Sequence, residues 1–189
     1  MDETRGSLIY LTGFMGSGKS TIAPILANTL GYEFADIDAE IEAATGRKVT
    51  ELFSDEGEEY FRSVELDILR RLAARRSCVV SLGGGTVANE ENLRSVKSSG
   101  ILIYLQVDEE QLYHRLKFKN NRPMLWGKDG VLLTDDDLRA RIRHLFTTRE
   151  PFYLRADIII PTGSNRVGIT VDEIVRALAH RPPPQQHRS

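Results

Sequence analysis

Leu8-Ile9-Tyr10-Leu11-Thr12-Gly13-Phe14-Met15-Gly16-Ser17-Gly18-Lys19-Ser20 runs from a short apolar stretch into the spacing G-x-x-x-x-G-K-S. Beyond it, Ile22, Ile25, Leu26 and Leu30 recur at helical spacing, so a strand, a glycine loop and an amphipathic helix follow one another. Glycines let the backbone turn its N–H groups inward around a β-phosphate. Lys19 sets a point charge near the β and γ oxygens, and the Ser20 hydroxyl suits Mg2+. The expected ligand is ATP or GTP, its phosphates meeting the positive end of the helix. Pro24 cannot donate to the Ser20 carbonyl and predicts a kink near the helix start.

The chain has 189 residues, 41% hydrophobic and 28% charged, enough for one domain with a sizeable core. With 25 Lys and Arg against 27 Asp and Glu, the formal net charge is −2. That balance argues against a general nucleic-acid or membrane-surface binder. Cys78 is the single cysteine, so no internal disulfide forms, as expected in a reducing compartment. No apolar stretch reaches membrane-spanning length, and residues 1–7 are too short and polar for a secretory signal. A cytoplasmic protein is expected. The proline-rich, polar stretch 181–189 predicts a disordered tail after a domain spanning 1–180. With no heptad pattern, monomer is the default.

Strand-like runs appear at 8–11, 33–35, 78–81, 101–106 and 157–160, with helical stripes between them: Phe61, Val64, Ile68, Leu72; then Leu112, Leu116; then Leu138, Ile142, Leu145, Phe146. Thr134 and Asp137 predict a capping box opening the last of these, and Pro151 predicts its end. Alternating helices and near-continuous apolar strands predict an α/β fold with a parallel sheet covered on both faces. Ligands then belong at the carboxyl ends of the strands.

The second strand ends in Asp36-Ile37-Asp38. Two residues apart in extended chain, the carboxylates point the same way, one able to support a metal and the other to orient a hydroxyl and take its proton. Equally, either aspartate caps the helix predicted to follow at 39–44. The third strand ends in Gly83-Gly84-Gly85, which permits close approach of a ligand to the backbone. Arg62 and Arg149 flank apolar helical stripes. Facing inward, they suit a carboxylate; facing outward, the orientation that spacing alone favours, they are a snorkelling stem and a last-turn cation. The stretch 119–131, with Arg122, reads either as a mobile lid over the nucleotide or as a solvated basic loop. Asp108-Glu109 mimics the acidic pair of mechanical ATPases but is more simply a helix cap. The four histidines show no metal-ligand spacing.

Taken in order, the phosphate loop, Asp36-Ile37-Asp38, Phe61-Arg62-Ser63-Val64-Glu65, Ser81-Leu82-Gly83-Gly84-Gly85, Arg122-Pro123 and Arg149-Glu150-Pro151-Phe152-Tyr153 resemble the shikimate kinase family, up to about Ala179. The resemblance implies the three-layer αβα fold of nucleoside monophosphate kinases, a five-stranded parallel sheet in order 2-3-1-4-5, and a short mobile lid. It implies transfer of phosphate from ATP to the 3-hydroxyl of shikimate, on the route to chorismate and aromatic amino acids. Asp38, Arg62, Gly83, Gly84, Gly85 and Arg149 would bind shikimate within a region at about 36–65 and around it. Asp38 would meet the hydroxyls and the arginines the carboxylate. Gly16, Ser17, Gly18, Lys19, Ser20 and Thr21 would hold the phosphates. Ser20 would ligate Mg2+, with Asp36 reaching it through water. Lys19 and Arg122 would stabilise the transferring group, Asp38 would act as base, and Arg115 and Arg166 would flank adenine.

Two other classes compete. Another small-molecule kinase of this fold, for gluconate or a nucleotide, would lack the combination of Asp38, Arg62, the glycines and Arg149. A GTP-dependent switch would carry an N-K-x-D guanine motif, which the chain lacks.

Overall fold

β1 (Leu8–Thr12) is buried along its whole length, and the rest of the protein is arranged around it. The computed structural model describes residues 8–117, 133–163 and 166–180. The lid predicted at 119–131, with Arg122, and the tail predicted at 181–189 lie outside the described residues.

After β1 come α1 (Lys19–Leu30), β2 (Glu33–Asp36), α2 (Ile37–Thr45), α3 (Val49–Asp55), α4 (Gly57–Leu72) and β3 (Cys78–Ser81). Then follow α5 (Glu90–Ser99), β4 (Ile101–Gln106), α6 (Glu109–Leu116), α7 (Asp135–Tyr153), β5 (Ile158–Pro161) and α8 (Val167–Ala179). The strands form one five-stranded sheet in the order β2-β3-β1-β4-β5. Every neighbouring pair is parallel, Tyr10 facing Val80 on one side and Leu102 on the other. This is the expected fold.

Side-chain alternation along β1 divides the core. Leu8 and Tyr10 join Leu72, Leu93, Leu112 and Phe146 on one face. Ile9 and Leu11 join Ile22, Leu26, Ile174 and Leu178 of α1 and α8 on the other. Because both faces are covered, the strands read as continuous apolar runs rather than alternating ones. Leu26 is fully buried; its burial contributes about 2 kcal/mol, and truncation to Ala costs about 3 kcal/mol once the cavity is counted.

β3 lies between β1 and β2, and all three run the same way. Their carboxyl ends therefore bring the glycine loop, Asp36 and the glycine triplet to one edge.

Three local expectations are corrected. α7 does not end before Pro151 but continues to Tyr153, because tertiary contacts of the buried Tyr153 outweigh one lost backbone bond. α2 starts at Ile37, earlier than the aspartate pair suggested, since Asp36 itself caps it. β5 begins one residue late, because Asp157 binds back to Leu102, accepting its N–H at 2.9 Å. Elsewhere local chemistry held: Thr134 accepts from Asp137 N, and Asp108 caps α6 by accepting from Gln111 N at 2.8 Å. α1 runs on through Pro24.

Candidate active site

The loop between β1 and α1 turns through Gly16 and Gly18, at φ 82° and 103°, a region that side chains other than glycine rarely adopt. Gly18 is the α1 N-cap, and no side chain caps the helix, so its positive end faces the crevice. Lys19 is nearly buried, its Nζ donating to Gly13 O at 2.6 Å and Phe14 O at 3.0 Å. The loop thus keeps the ammonium inside its own curve. Ser20 and Thr21 are exposed on the first turn.

Arg115 reaches this loop from α6. It donates to Gly16 O at 3.0 Å, Thr162 O at 3.1 Å and Gly163 O at 2.7 Å. One guanidinium therefore ties the phosphate loop to the segment after β5. Arg166 caps the start of α8 and is exposed; among the described residues no hydrogen bond ties its side chain to this group.

On the other side of the crevice, the two aspartates are not a matched pair. Asp36 Oδ1 accepts from Asp38 N at 3.0 Å and Ala39 N at 3.3 Å, which makes Asp36 the cap and puts Asp38 in the first helical turn. Asp38 keeps surface open to solvent yet sits in a recess crowded by protein. That crowding, with the nearby carboxylates of Asp36 and Glu65, pushes its pKa up to about 6, against the pull of Lys19. The opposing effect of Lys19 means the two halves of the site share one field.

The glycine triplet needs space rather than unusual dihedrals, since none of its members has a positive φ. A Cβ on Gly85 would stand 2.8 Å from Arg62 Nη2 and 3.6 Å from Arg149 Nη2. One on Gly83 would meet Thr86 Oγ1 at 3.0 Å and Asp38 Oδ1 at 3.5 Å, and one on Gly84 would meet Met15 N at 3.4 Å. The turn therefore gathers Asp38, Arg62 and Arg149 and lays them against the phosphate loop.

Arg62 is aimed by a buried network. Glu65 accepts from Arg62 Nη1 at 2.7 Å, Thr86 Oγ1 at 2.7 Å and Asn92 Nδ2 at 3.2 Å. The Arg62 guanidinium also lies 5.3 Å from the Phe61 ring centre and 5.9 Å from that of Phe53. Spacing alone favoured the outward orientation, and this is corrected: both arginines face inward, because Glu65 holds Arg62 and the glycine turn lies against Arg149. Arg149 is not in the last turn of α7, which continues to Tyr153.

A cleft of about 770 Å³ opens beyond β4 between Gln106, Asp108, Glu109, Phe146, Glu150 and Gly163, bordering the segment that Arg115 ties to the phosphate loop. Its carboxylates repel phosphate, and burial with neighbouring Glu109 raises the Glu150 carboxyl.

The profile of a family described as shikimate kinase matches residues 15–179. The chain belongs to the shikimate kinase family. A shikimate kinase of Chlorobaculum tepidum is 46% identical over 172 residues, covering 91% of this chain and 90% of that protein. The structure of shikimate kinase from Bacteroides thetaiotaomicron superposes with a TM-score of 0.84 at 32% identity, over 92% of this chain and 98% of that one. Shikimate kinase from Acinetobacter baumannii in complex with shikimate gives 0.81 at 33% identity, over 91% and 92%.

In this shikimate kinase family chain, sequence reasoning missed the residues that support the crevice. Glu65 and Tyr153 stood within quoted motifs without a role, and Thr86 and Asn92 had none. A signal existed for Glu65: a glutamate three residues after Arg62, on the buried stripe with Phe61 and Ile68, needs an internal partner.

Proposed function

We propose that this chain transfers the γ-phosphoryl group of ATP to the 3-hydroxyl of shikimate, yielding shikimate 3-phosphate and ADP, in the biosynthesis of chorismate and aromatic amino acids. The observation that carries this reading is the packing of the Gly83–Gly85 turn, with Arg62 of α4 and Arg149 of α7 beside it, directly against the phosphate loop at Met15. Two guanidiniums suit the carboxylate of an acid; one carboxylate, Asp38, suits its alcohol. The A. baumannii relative in complex with shikimate supports the same choice.

In this reading Arg62, Arg149 and the glycine turn hold the substrate carboxylate, and Asp38 accepts a hydrogen bond from the 3-hydroxyl. The hydroxyl oxygen attacks the γ-phosphorus, the bond to the β–γ bridging oxygen breaks, and the hydroxyl proton passes to Asp38. In a loose transition state, orientation by Asp38 counts for more than early proton removal. Lys19, with Arg122 outside the described residues, stabilises charge on the moving group. Gly16 to Thr21 cradle the phosphates, while Arg115 and Arg166 flank the base.

Mg2+ fits the donors. Ser20 offers a hydroxyl, Asp36 has a second carboxylate oxygen beyond the one used in capping, and hard oxygen ligands suit that ion. Among the described residues no group of three or more His, Cys, Asp or Glu could hold a metal ion. When bound, it would neutralise phosphate charge.

The reading also takes residues 1–180 as one kinase domain, with a lid at 119–131, acting as a cytoplasmic monomer. A single sheet with a core on each face supports one domain, and among the described residues no helix is long and apolar enough to cross a membrane. The test is ADP release with shikimate, gluconate, nucleoside monophosphates or no acceptor, with the product identified by mass. Shikimate-dependent release alone is expected. Turnover with gluconate or a nucleotide in its place would falsify the reading.

A further inference from the structure

Tyr153, the last residue of α7, is fully buried. Its hydroxyl donates to the carbonyl of Gly84, 69 residues earlier in the chain. Arg149 stands one helical turn before it on the same face. That guanidinium lies against the phenol oxygen and opposes the rise, to about 12, that burial imposes on the Tyr153 hydroxyl. A Cβ on Gly84 would lie 3.4 Å from Met15 N, 3.6 Å from Gly13 O and 3.7 Å from Arg149 Nη1. One hydroxyl thus joins the acceptor turn, an acceptor arginine and, through Gly84, the wall of the phosphate loop.

Packing alone does not require that bond. The Tyr153 ring lies on Tyr104, centroids 5.1 Å apart, and the hydroxyl of Tyr104 is buried with no hydrogen-bond partner among the described residues. Of the two stacked phenols, only that of Tyr153 meets the glycine turn and Arg149.

We propose that Tyr153 is a positioning residue for the acceptor, anchoring the Gly84 carbonyl so that the glycine turn and the Arg149 fork stay aligned on the phosphate loop. It touches no substrate. The inference rests on the reading that this turn and Arg149 receive shikimate. Losing the anchor loosens the acceptor side and leaves Lys19, Gly16 and Gly18 where they are, so the two substrates respond differently.

The test compares Tyr153→Phe and Tyr104→Phe with the unaltered chain, by steady-state kinetics in both substrates and by thermal melting. Tyr153→Phe should raise the shikimate KM about tenfold, the scale of one lost hydrogen bond, with the ATP KM changed by less than about twofold. Tyr104→Phe should leave both KM values unchanged. An unchanged shikimate KM in Tyr153→Phe, equal rises for both substrates, an equal effect of Tyr104→Phe, or failure of Tyr153→Phe to fold each overturns the proposal. If the unaltered chain does not phosphorylate shikimate, the functional reading fails and takes this inference with it. If it does, and Tyr153→Phe matches it, only the inference fails.

Discussion

Arg62 and Glu65 form an ion pair at 2.7 Å in which the guanidinium side chain is 26% exposed and the carboxylate 2%. The exposed end faces the crevice and the buried end is locked by Thr86 and Asn92. The pair therefore works as a mount, with α4 and the turn after β3 holding a cation at the mouth of the site.

Removing the charge from that mount should be costly. Glu65→Gln places an amide against donors from Arg62 or Asn92 and leaves the guanidinium only its 3.3 Å pair with the exposed Glu58. We expect a loss of about 2 to 3 kcal/mol in stability, at the low end for a buried pair because Arg62 is partly solvated. Shikimate binding should weaken in the same variant. Denaturant melts at several pH values above 6 check this, and wild-type stability would remove the mount.

Asp38 makes activity and stability respond to pH in opposite directions. With its pKa raised to about 6, the carboxylate takes up a proton as pH falls through that value, so kcat/KM for shikimate should drop about tenfold per pH unit below it. The folded state holds this proton more tightly than the unfolded chain does. Asp38 therefore costs stability as pH rises from the usual aspartate range to about 6, and the full cost persists above. Asp38→Asn should lose turnover yet melt higher than the unaltered protein at pH 8, with a smaller advantage at pH 5. A lower melting temperature at pH 8 contradicts the burial argument.

Gly85→Ala separates space from backbone freedom. Gly85 has no positive φ, so alanine fits the chain, but its Cβ would sit 2.8 Å from Arg62 Nη2. The flexible end of Arg62 must move. The protein should fold with a melting temperature within a few degrees of the original while its shikimate KM rises about tenfold or more. Normal kinetics would mean that Arg62 is not needed where it stands.

Arg149→Ala and Lys19→Ala should divide the two substrates. The first should weaken shikimate binding by about 1.5 to 3 kcal/mol, as for a hydrogen bond to a charged group, and spare ATP. The second should depress turnover with every acceptor. Calorimetric titrations with each ligand and single-turnover assays read the difference, and unchanged shikimate affinity in Arg149→Ala sinks its assigned role.

What could be read in the chain followed the range of the interactions involved. The phosphate loop was legible because Gly16, Gly18, Lys19 and Ser20 are contiguous and their geometry is set by a turn and a helix start. The sheet was legible because β1, β3 and β4 are buried on both faces and so read as apolar runs up to Thr12, Ser81 and Gln106 at their carboxyl ends. Asp36 was the instructive local case: a two-residue spacing suggested a pair of carboxylates in extended chain, but its own side chain captured the Asp38 and Ala39 N–H groups and began the helix there.

Spacing alone favoured the outward orientation of Arg62 and Arg149, because what turns them inward depends on partners far away in the chain. Arg62 turns inward through a Glu65 that Thr86 and Asn92 seal, and Arg149 lies on a helix carried past Pro151 to a tyrosine bonded to Gly84. By itself the sequence determined the phosphate loop, the alternation of strands and helices, and the residue types offered to an anionic alcohol. Only the tertiary structure decided that these side chains meet, because hydrogen bonds between distant segments form after the sheet has brought its strand ends to one edge.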